Sequence, residues 1–382
     1  MKKLTLLTSL LFVLATMAFA NTNKTDDQQH KGTRIQVAIL LDTSSSMDGL
    51  IEQAKSRLWN IVNTLTTLRY KGEIPQIEIA LYEYGNDRLK ERDSYIRQVA
   101  PLTTNLDLIS EKLFSLTTYG GLEYCGAVID QAVSKLEWGN HSADMKLIYI
   151  AGNEPFTQGR VSYKSAIDRA LDKDIYVHTI HCGDRESGIR GMWRDGAIRG
   201  KGRFFNIDHN AKIRYYDTPY DDRISRCNER LNSTYVGYGS DRYYFQSNQV
   251  AQDANALKMS KSNMAERAVS KSAAAYDNSS WDLVDMAKKD KTVFSRIKKS
   301  ELPGEYQDKS TAEIEKLVKE KEAERATIQK EINDLARKRQ EYIDEQKMKE
   351  GGDTSADDLG KAINESILAL ANQKGYTNNS NQ

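Results

Sequence analysis

One short segment of this chain combines side chains that could bind a metal ion. Asp42, Ser44 and Ser46 occur in the pattern D-x-S-x-S directly after the apolar residues 37–41. A carboxylate and two hydroxyls on one tight loop are hard oxygen ligands, which suit Mg²⁺, Mn²⁺ or Ca²⁺. The same residue types also occur where helices begin, and there they only bond to backbone amides. The pattern therefore predicts either a divalent-cation site or a loop organised by its own side chains.

The elements around this segment indicate an α/β fold. Residues 37–41 form a continuous apolar run, which is typical of a strand buried on both faces of a parallel sheet. Apolar spacing predicts further strands at 77–81, 95–102, 147–150, 175–180 and 204–207, and helices at 51–68, 105–116, 127–136 and 165–171. Strands that alternate with helices imply a mostly parallel sheet with helices on both faces. Such a sheet places ligand sites beyond the carboxyl ends of its strands, where Asp42 is expected.

Three segments carry a resemblance to a known family. They are LLDTSSSM at 40–47, GGLEYCGAV at 120–128 and LIYIAGNEPF at 147–156. In order and approximate spacing they resemble the three metal-site loops of von Willebrand factor A (VWA) domains, over about residues 34–208. The resemblance implies a Rossmann-like fold and a metal-ion-dependent adhesion site. The later segments HTIHCGD, TPYDDRISRCNERLNSTYVGYG and SSWDLVDM resemble a group of bacterial exported proteins in which a mainly helical C-terminal extension follows this domain.

This sequence departs from the family pattern at two ligand positions. The second loop of the family has a threonine after its glycine pair, where this chain has Leu122, and the third loop supplies an aspartate, where this chain has Gly152. Glu123 and either Asn153 or Glu154 lie one or two positions away, and they are the expected substitutes, directly or through water. The predicted ligands of a Mg²⁺ ion, with Mn²⁺ or Ca²⁺ as alternatives, are Asp42, Ser44, Ser46, Glu123, Asn153 and Glu154.

The resemblance implies an adhesion-type function. In that mechanism the ion accepts an acidic side chain of a protein partner, so the predicted protein is a non-enzymatic binding or scaffold protein. Two alternatives stay open, because a fold does not fix a function. One is an enzyme or enzyme accessory factor of the cell envelope, although no G-x-S-x-G elbow occurs and His178 and His181 are expected on opposite faces of a strand. The other is a structural envelope protein whose altered site binds no metal.

The amino terminus predicts export. Residues 1–20 combine a basic start, a short apolar core and an A-x-A cleavage site after Ala20, as in a Sec signal peptide, and residues 21–33 are expected to form a flexible leader. The apolar core is shorter than the roughly 20 residues of a spanning helix, so no membrane span is expected and the predicted location is periplasmic or secreted. With 55 Lys and Arg against 54 Asp and Glu, the composition does not indicate nucleic-acid binding.

The remaining sequence divides by composition. Residues 34–210 are predicted as the VWA domain and 211–309 as a tyrosine-rich, helical extension, whose tyrosines pack against the domain or form a binding surface. Ser310 and Glu313 form a capping box that begins a long amphipathic helix over 310–350, whose weak heptad offers a surface for self-association. Residues 351–382 are expected to contain a short helix at 359–370 and a disordered tail.

Three cysteines occur in this chain, which is predicted to enter an oxidising compartment. Cys125 and Cys182 are both expected on the carboxyl side of the sheet. They are candidates for a disulfide, and the alternative is that they are two small buried apolar side chains. In the disulfide-bonded form Cys227 would keep a free thiol.

Overall fold

The protein is described here by a computed structural model that covers residues 32–349 and 359–378. The predicted signal peptide at 1–20, most of the predicted leader at 21–33, residues 350–358 and the last four residues lie outside the described residues. No helix within the described ranges is both long and apolar enough to cross a membrane.

The centre of the fold is a six-stranded sheet with the order β4-β3-β1-β5-β6-β7. A second, two-stranded sheet pairs β2 with β8. The strands are β1 (Arg34–Asp42), β2 (Leu68–Tyr70), β3 (Gln76–Tyr84), β4 (Ile96–Thr103), β5 (Met145–Gly152), β6 (Ile175–Cys182), β7 (Lys201–Ile207) and β8 (Tyr376–Asn378). Within the large sheet only the edge strand β4 is antiparallel to its neighbour. The predicted parallel sheet and the predicted edge strand at 95–102 are therefore confirmed.

Helices cover both faces of the large sheet and form most of the remaining chain. The helices are α1 (Asp48–Thr66), α2 (Leu106–Phe114), α3 (Cys125–Lys135), α4 (Tyr163–Asp172), α5 (Arg185–Arg190), α6 (Trp193–Arg199), α7 (Asp221–Asn232), α8 (Arg242–Met259), α9 (Lys261–Ser272), α10 (Leu283–Lys289), α11 (Val293–Arg296), α12 (Gly304–Gln307), α13 (Thr311–Lys349) and α14 (Leu359–Gln373). Short 3₁₀ turns occupy Ser45–Met47, Glu91–Asp93 and Lys299–Glu301.

Local sequence signals explain where several of these elements begin and end. The Asn105 side chain accepts a hydrogen bond from the Leu108 amide at 3.0 Å, as the predicted N-cap of α2. The capping box at Ser310 and Glu313 forms as predicted, and α13 follows it. The apolar spacing extends the predicted helix to Leu68, but α1 ends at Thr66 and Leu68 begins β2.

Two apolar cores lie on opposite faces of the sheet. Helices α3 and α4 pack on one face, where Val128 and Ile167 are fully buried. Helices α1 and α2 pack on the other face, and this second core continues without a break into α7, α9, α13 and α14 of the extension. The extension is therefore packed against the domain through one shared core.

The end of the chain returns to the domain. Helix α14 packs beside α1, and the Tyr149 hydroxyl on β5 lies 2.8 Å from the Ser366 hydroxyl on α14. Strand β8 pairs antiparallel with β2, so Tyr376 lies opposite Tyr70. The expectation of a disordered tail is therefore wrong for residues 376–378, because their backbone groups pair with a strand that lies about 300 residues earlier in the chain.

The long helix α13 uses its apolar stripe inside the molecule. Ile314, Ile328 and Leu335, three members of the predicted heptad, are buried. They face α7, α9, α10 and α11 of the same chain. The apolar stripe of residues 310–350, which the sequence predicts as a surface for self-association, is therefore occupied by intramolecular packing.

Candidate metal site at the strand ends

Three loops meet where β1, β3 and β5 end. The register aligns Asp42 of β1 with Tyr84 of β3, and Leu41 of β1 with Ala151 of β5. The Tyr119 amide donates to the Thr43 carbonyl at 3.0 Å, which holds the second loop against the first. The three loops are separate in the sequence but lie together in the fold. We call this cluster the strand-end site. Its members are the predicted ligands Asp42, Ser44, Ser46, Glu123, Asn153 and Glu154.

Asp42 is the buried carboxylate of this site. Its Oδ1 accepts a hydrogen bond from the Ser44 amide at 2.7 Å, while its Oδ2 is buried without a partner among the described residues. Burial raises the pKa of Asp42 to about 7, and the nearby negative charge of Glu154 adds to this rise. A carboxylate in this position is costly to ionise unless a positive charge is bound next to it.

The two serines connect the first loop to the third. Ser44 Oγ lies 3.3 Å from Ser46 Oγ, and the Asn153 Nδ2 group donates to Ser46 Oγ at 3.3 Å. Asn153 Oδ1 is buried and has no partner among the described residues. Of the two candidates on the third loop, Asn153 therefore contacts Ser46 directly. Glu154 acts on Asp42 through its charge, and its carbonyl accepts a hydrogen bond from the Trp193 indole at 2.8 Å.

Glu123 of the second loop lies next to Asp42 because residue 85 is a glycine. A Cβ on Gly85 would lie 2.6 Å from Cγ of Glu123 and 2.9 Å from Oδ1 of Asp42, so no side chain fits between the two carboxyl groups. Gly85 also has a φ of +78°, a conformation that favours glycine. Glu123 is buried, and its Oε2 has no partner among the described residues.

The hydroxyl of Tyr84 fills the space next to Gly152. A Cβ on Gly152 would lie 2.5 Å from the Tyr84 hydroxyl oxygen and 3.0 Å from Asp42 Oδ2. The hydroxyl donates to the Ala151 carbonyl at 3.0 Å, and burial raises the pKa of Tyr84 well above its usual value. Sequence reasoning missed Tyr84. Its place beside Asp42 depends on the order of the strands in the sheet, which local sequence patterns do not give.

The donor set fits a hard divalent cation. Three buried oxygens, on Asp42, Glu123 and Asn153, lack a hydrogen-bond partner among the described residues, and two serine hydroxyls lie beside them. Carboxylate, amide and hydroxyl oxygens are the donors that Mg²⁺, Mn²⁺ and Ca²⁺ use. No group of three or more His, Cys, Asp or Glu side chains within the described ranges is placed to hold a metal, so hydroxyl and amide oxygens have to belong to any such site.

Cys125 and Cys182 do not form a disulfide. All three cysteines are buried free thiols. Both residues lie near the strand ends, as expected, but Cys125 packs in the core under α3 and Cys182 packs in the core on the other face of the sheet. The disulfide prediction is therefore wrong. The sequence places both cysteines at the same end of the sheet, but it does not show on which face of the sheet each side chain packs.

The two histidines of β6 lie on opposite faces of the sheet, as predicted. His178 stacks on Tyr149 with ring centroids 4.9 Å apart, and His181 lies against Trp193. Burial lowers the pKa of His178 to about 3, so this ring is neutral in the folded protein. The His181 Nδ1 atom lies 3.0 Å from Asn206 Oδ1.

Comparisons with known proteins concern residues of the sheet domain. The sequence model of the von Willebrand factor type A domain matches residues 36–213. None of the curated proteins compared with the chain matches it. The solved structures that are similar to it include BatB of Bacteroides thetaiotaomicron, a conserved hypothetical protein, with 18% identity over 46% of this chain and 90% of that chain and a TM-score of 0.35.

Two further structures share similarity over the same part of the chain. The SpRpn10 VWA domain has 14% identity over 46% of this chain and 88% of that chain, with a TM-score of 0.34. Proximal thread matrix protein 1 from the mussel byssus, solved with a zinc-occupied MIDAS motif, has 13% identity over 46% of this chain and 42% of that chain, with a TM-score of 0.33.

Proposed function

Residues 36–213 of this chain form a von Willebrand factor type A domain, and from that premise we propose that the protein is a non-enzymatic binding or scaffold protein that engages a protein partner at its strand-end site through a divalent cation. VWA domains commonly mediate protein–protein binding. In this proposal Asp42, Ser44 and Ser46 hold the ion, and Glu123 with Asn153 or Glu154 supplies further oxygens. We propose Mg²⁺, with Mn²⁺ or Ca²⁺ as alternatives, because all of these donors are hard oxygens.

The observation that supports this proposal best is the set of three buried oxygens without a partner. They belong to Asp42, Glu123 and Asn153, which come from the three different loops. A buried polar atom that lacks a hydrogen bond costs about 1–3 kcal/mol, and a cation bound among the three loops would offset this cost. A bound cation supplies positive charge and an open coordination position for an acidic side chain of the partner.

The surface next to the second loop supports a protein as the ligand. Tyr119 and Leu122 flank the glycine pair of this loop, and both side chains are about half exposed. The guanidinium of Arg88 lies 4.6 Å from the centre of the Tyr119 ring. Exposed aromatic and arginine side chains beside a charged centre are typical of protein interfaces. In our proposal an acidic residue of the partner binds at the cation while apolar neighbours of that residue contact Tyr119 and Leu122.

The proposed location is the periplasm or the cell exterior. It rests on the signal-peptide pattern of residues 1–20, with cleavage after Ala20. Amino-terminal sequencing of the protein from the envelope fraction should give Asn21 as the first residue, and an intact Met1 in that fraction would contradict export by cleavage.

A second candidate function is a structural envelope protein whose site holds no metal. One observation favours it: the bond from the Ser44 amide to Asp42 Oδ1 organises the loop without a cation. Burial raises the pKa of Asp42 to about 7, so its neutral form is accessible near neutral pH. The two candidates therefore differ in whether partner capture depends on metal.

One capture experiment separates them. The purified protein is immobilised, and envelope extract is passed over it with Mg²⁺ or with a chelator. We expect retained partners with Mg²⁺ only, loss of them in Asp42→Asn, and no effect of Asp168→Asn, which makes the same chemical change at an exposed ion pair on α4. Equal capture with chelator, or by Asp42→Asn, would refute the cation-dependent function and leave the structural candidate.

A further inference from the structure

The residue that follows the glycine pair of the second loop is turned to solvent. Leu122 is 46% exposed, whereas the next residue, Glu123, is 5% exposed and has a carboxylate oxygen without a partner among the described residues. In VWA domains the threonine of the metal site directly follows the glycine pair. Here the oxygen-bearing side chain beside Asp42 comes one position later, so its place depends on how the backbone of residue 123 is held.

The turn after β3 holds only the first part of the second loop. The Asn86 Nδ2 group donates to the Thr117 carbonyl at 2.9 Å, and the Asp87 amide donates to the Gly120 carbonyl at 2.6 Å. Both hydrogen bonds are made before Leu122 is reached. They fix the start of the glycine pair, and the orientation of Glu123 requires a further contact.

Gln158 of the third loop provides that contact. Its Oε1 atom accepts a hydrogen bond from the Glu123 amide at 2.9 Å. The Gln158 amide in turn donates to the Pro155 carbonyl at 3.0 Å, which closes a turn over residues 155–158. The Gln158 side chain therefore joins the third loop to the second at the residue that carries the buried carboxylate.

Tyr124, the residue after Glu123, is also held by the third loop. A Cβ on Gly159 would lie 2.7 Å from Cδ1 of Tyr124, so the backbone of residue 159 packs directly on this ring. The Tyr95 ring contacts Tyr124 as well, with ring centroids 6.1 Å apart. Helix α3 begins at the next residue. The backbone of Glu123 is thus fixed by Gln158 on its own amide and by a packed aromatic ring on its neighbour.

We propose that Gln158 is a positioning residue of the strand-end site, which places the Glu123 carboxylate beside Asp42 and thereby strengthens binding of the divalent cation. This inference rests on the proposed cation-dependent function. Gln158 acts through Glu123, because its Oε1 atom is bonded to the Glu123 amide. The third loop, in which Gly152 replaces the aspartate of the family, then contributes to the site by holding a ligand of the second loop. Loss of such an outer contact weakens metal binding about ten- to hundredfold.

Mn²⁺ binding to the purified full chain tests this role. Mn²⁺ is the probe because the electron paramagnetic resonance signal of the free ion falls when the ion binds. Gln158→Met removes the acceptor at a similar side-chain length and should weaken Mn²⁺ binding about tenfold or more. Gln307→Met is the control, since it removes a hydrogen bond from a glutamine side chain to the Leu302 carbonyl in the extension and should leave the affinity unchanged. Equal affinities of Gln158→Met and the wild type would overturn the proposal.

A double-mutant cycle separates positioning from general support of the loop. In the Glu123→Ala background no carboxylate remains for Gln158 to place, so adding Gln158→Met should change the Mn²⁺ affinity by less than about twofold. A loss as large in this background as in the wild-type background would overturn the role of Gln158 towards Glu123. Urea unfolding without added ion checks that every variant is folded.

A conservative variant provides a rescue. Gln158→Glu keeps an acceptor oxygen at the same side-chain length, so it should bind Mn²⁺ at least as tightly as the wild type. Binding by Gln158→Glu as weak as that by Gln158→Met would contradict a role for the hydrogen bond to the Glu123 amide. This comparison also applies if Gln158→Met does not fold.

The wild type distinguishes failure of this inference from failure of the proposed function. No fall of the free-ion signal with the wild type would refute the cation-dependent function, and the role of Gln158 with it. Binding that is lost in Asp42→Asn but unchanged in Gln158→Met would support the cation-dependent function and refute only the positioning role of Gln158.

Discussion

The hydroxyl of Tyr84 and the backbone of Gly152 occupy adjoining space at the strand ends, so that a Cβ on Gly152 would lie 2.5 Å from the hydroxyl oxygen. Gly152 stands where VWA domains usually have an aspartate, and Tyr84 reaches into that space from the neighbouring strand. The Tyr84 hydroxyl thus lies where a side chain at residue 152 would otherwise extend.

This relationship predicts a coupled effect of two substitutions. Gly152→Ala should destabilise the protein by about 1–3 kcal/mol, because its Cβ overpacks against Tyr84. Tyr84→Phe alone should cost about 1 kcal/mol through loss of the bond to the Ala151 carbonyl. The double variant should be more stable than the sum of the two changes implies. Urea unfolding of the four proteins measures this, and simple additivity would show that the hydroxyl does not restrict residue 152.

The metal proposal predicts a stability increment that depends on individual oxygens. Mg²⁺ at a hundredfold excess over its dissociation constant should raise the free energy of unfolding by about 2.7 kcal/mol. Asp42→Asn should abolish the increment, and Glu123→Gln should reduce it. Asn153→Ala and Glu154→Gln distinguish the two candidates on the third loop, since only the residue that supplies an oxygen should lower the increment.

Thermal melting with and without Mg²⁺, Mn²⁺ and Ca²⁺ is the measurement, and Asp168→Asn is its control. Unchanged melting of the wild type with all three ions, together with no heat in calorimetry, would remove the basis of the cation-dependent function.

His178 predicts a pH dependence with a defined sign. Burial lowers its pKa from 6.5 to about 3 in the folded protein, so between these values the unfolded chain binds a proton that the folded chain does not. The contribution of His178 to stability should therefore fall as the pH drops below 6.5. The buried Asp42 contributes the opposite slope between pH 3.8 and about 7, because its folded pKa is raised. The two slopes partly cancel in the wild type.

Comparing the wild type with a His178 variant isolates the contribution of this histidine to the pH dependence of stability. His178→Gln keeps a hydrogen-bond acceptor but removes the titration, so its stability should gain up to about 1.4 kcal/mol per pH unit relative to the wild type on acidification below the ordinary histidine pKa. The Asp42 slope is common to both proteins and drops out. Parallel stability curves for the two proteins between about pH 4.5 and 6 would contradict a buried neutral His178.

The buried charges that join the extension to the domain give another prediction. Arg267 is bonded to Asp107 on α2 and to Asp253 on α8, so it connects the domain with the extension. Asp253→Asn should destabilise the protein by about 3–5 kcal/mol, because it leaves Arg267 and Lys271 buried with too little negative charge. Asp222→Asn removes the exposed partner of Lys261 and should cost less than about 1 kcal/mol. Equal effects of the two substitutions would show that the network adds nothing beyond a surface pair.

Local patterns in the sequence were sufficient to predict the six strands of the large sheet and helices α1 to α4, whereas β2, α5 and α6 were not predicted. The apolar run before Asp42, the Asn105 cap and the capping box at Ser310 all act within a few residues, and each element they predicted is present. The strand-end loops could be predicted because parallel strands end at one edge. Tyr84 could not be identified in this way, since its contact with Gly152 depends on strand order in the sheet.

Three features that escaped prediction depend on distant parts of the chain. The face on which Cys125 or Cys182 packs depends on the strands between them, and the pairing of Tyr376 with Tyr70 joins segments about 300 residues apart. The apolar residues of α8 would have predicted a buried face. They are exposed because Asp253 on its opposite side is bonded to the cations of α9.

Helix α14 packs against the sheet domain, so we expect the stability of the domain to depend on this helix. Ile363 and Ile367 of α14 are fully buried in the core that contains α1, whereas Leu368 of the same helix is partly exposed. Ile363→Ala should lower the free energy of unfolding by about 2–5 kcal/mol, since it leaves a cavity between α14 and α1. Leu368→Ala has a matched size change on the outer side of the helix and should cost less than about 1 kcal/mol. Far-ultraviolet circular dichroism during urea unfolding should show one transition for the domain and extension together. A large effect of Leu368→Ala, or a separate early transition of the extension with an unchanged domain transition in Ile363→Ala, would show that residues 34–210 are stable without α14.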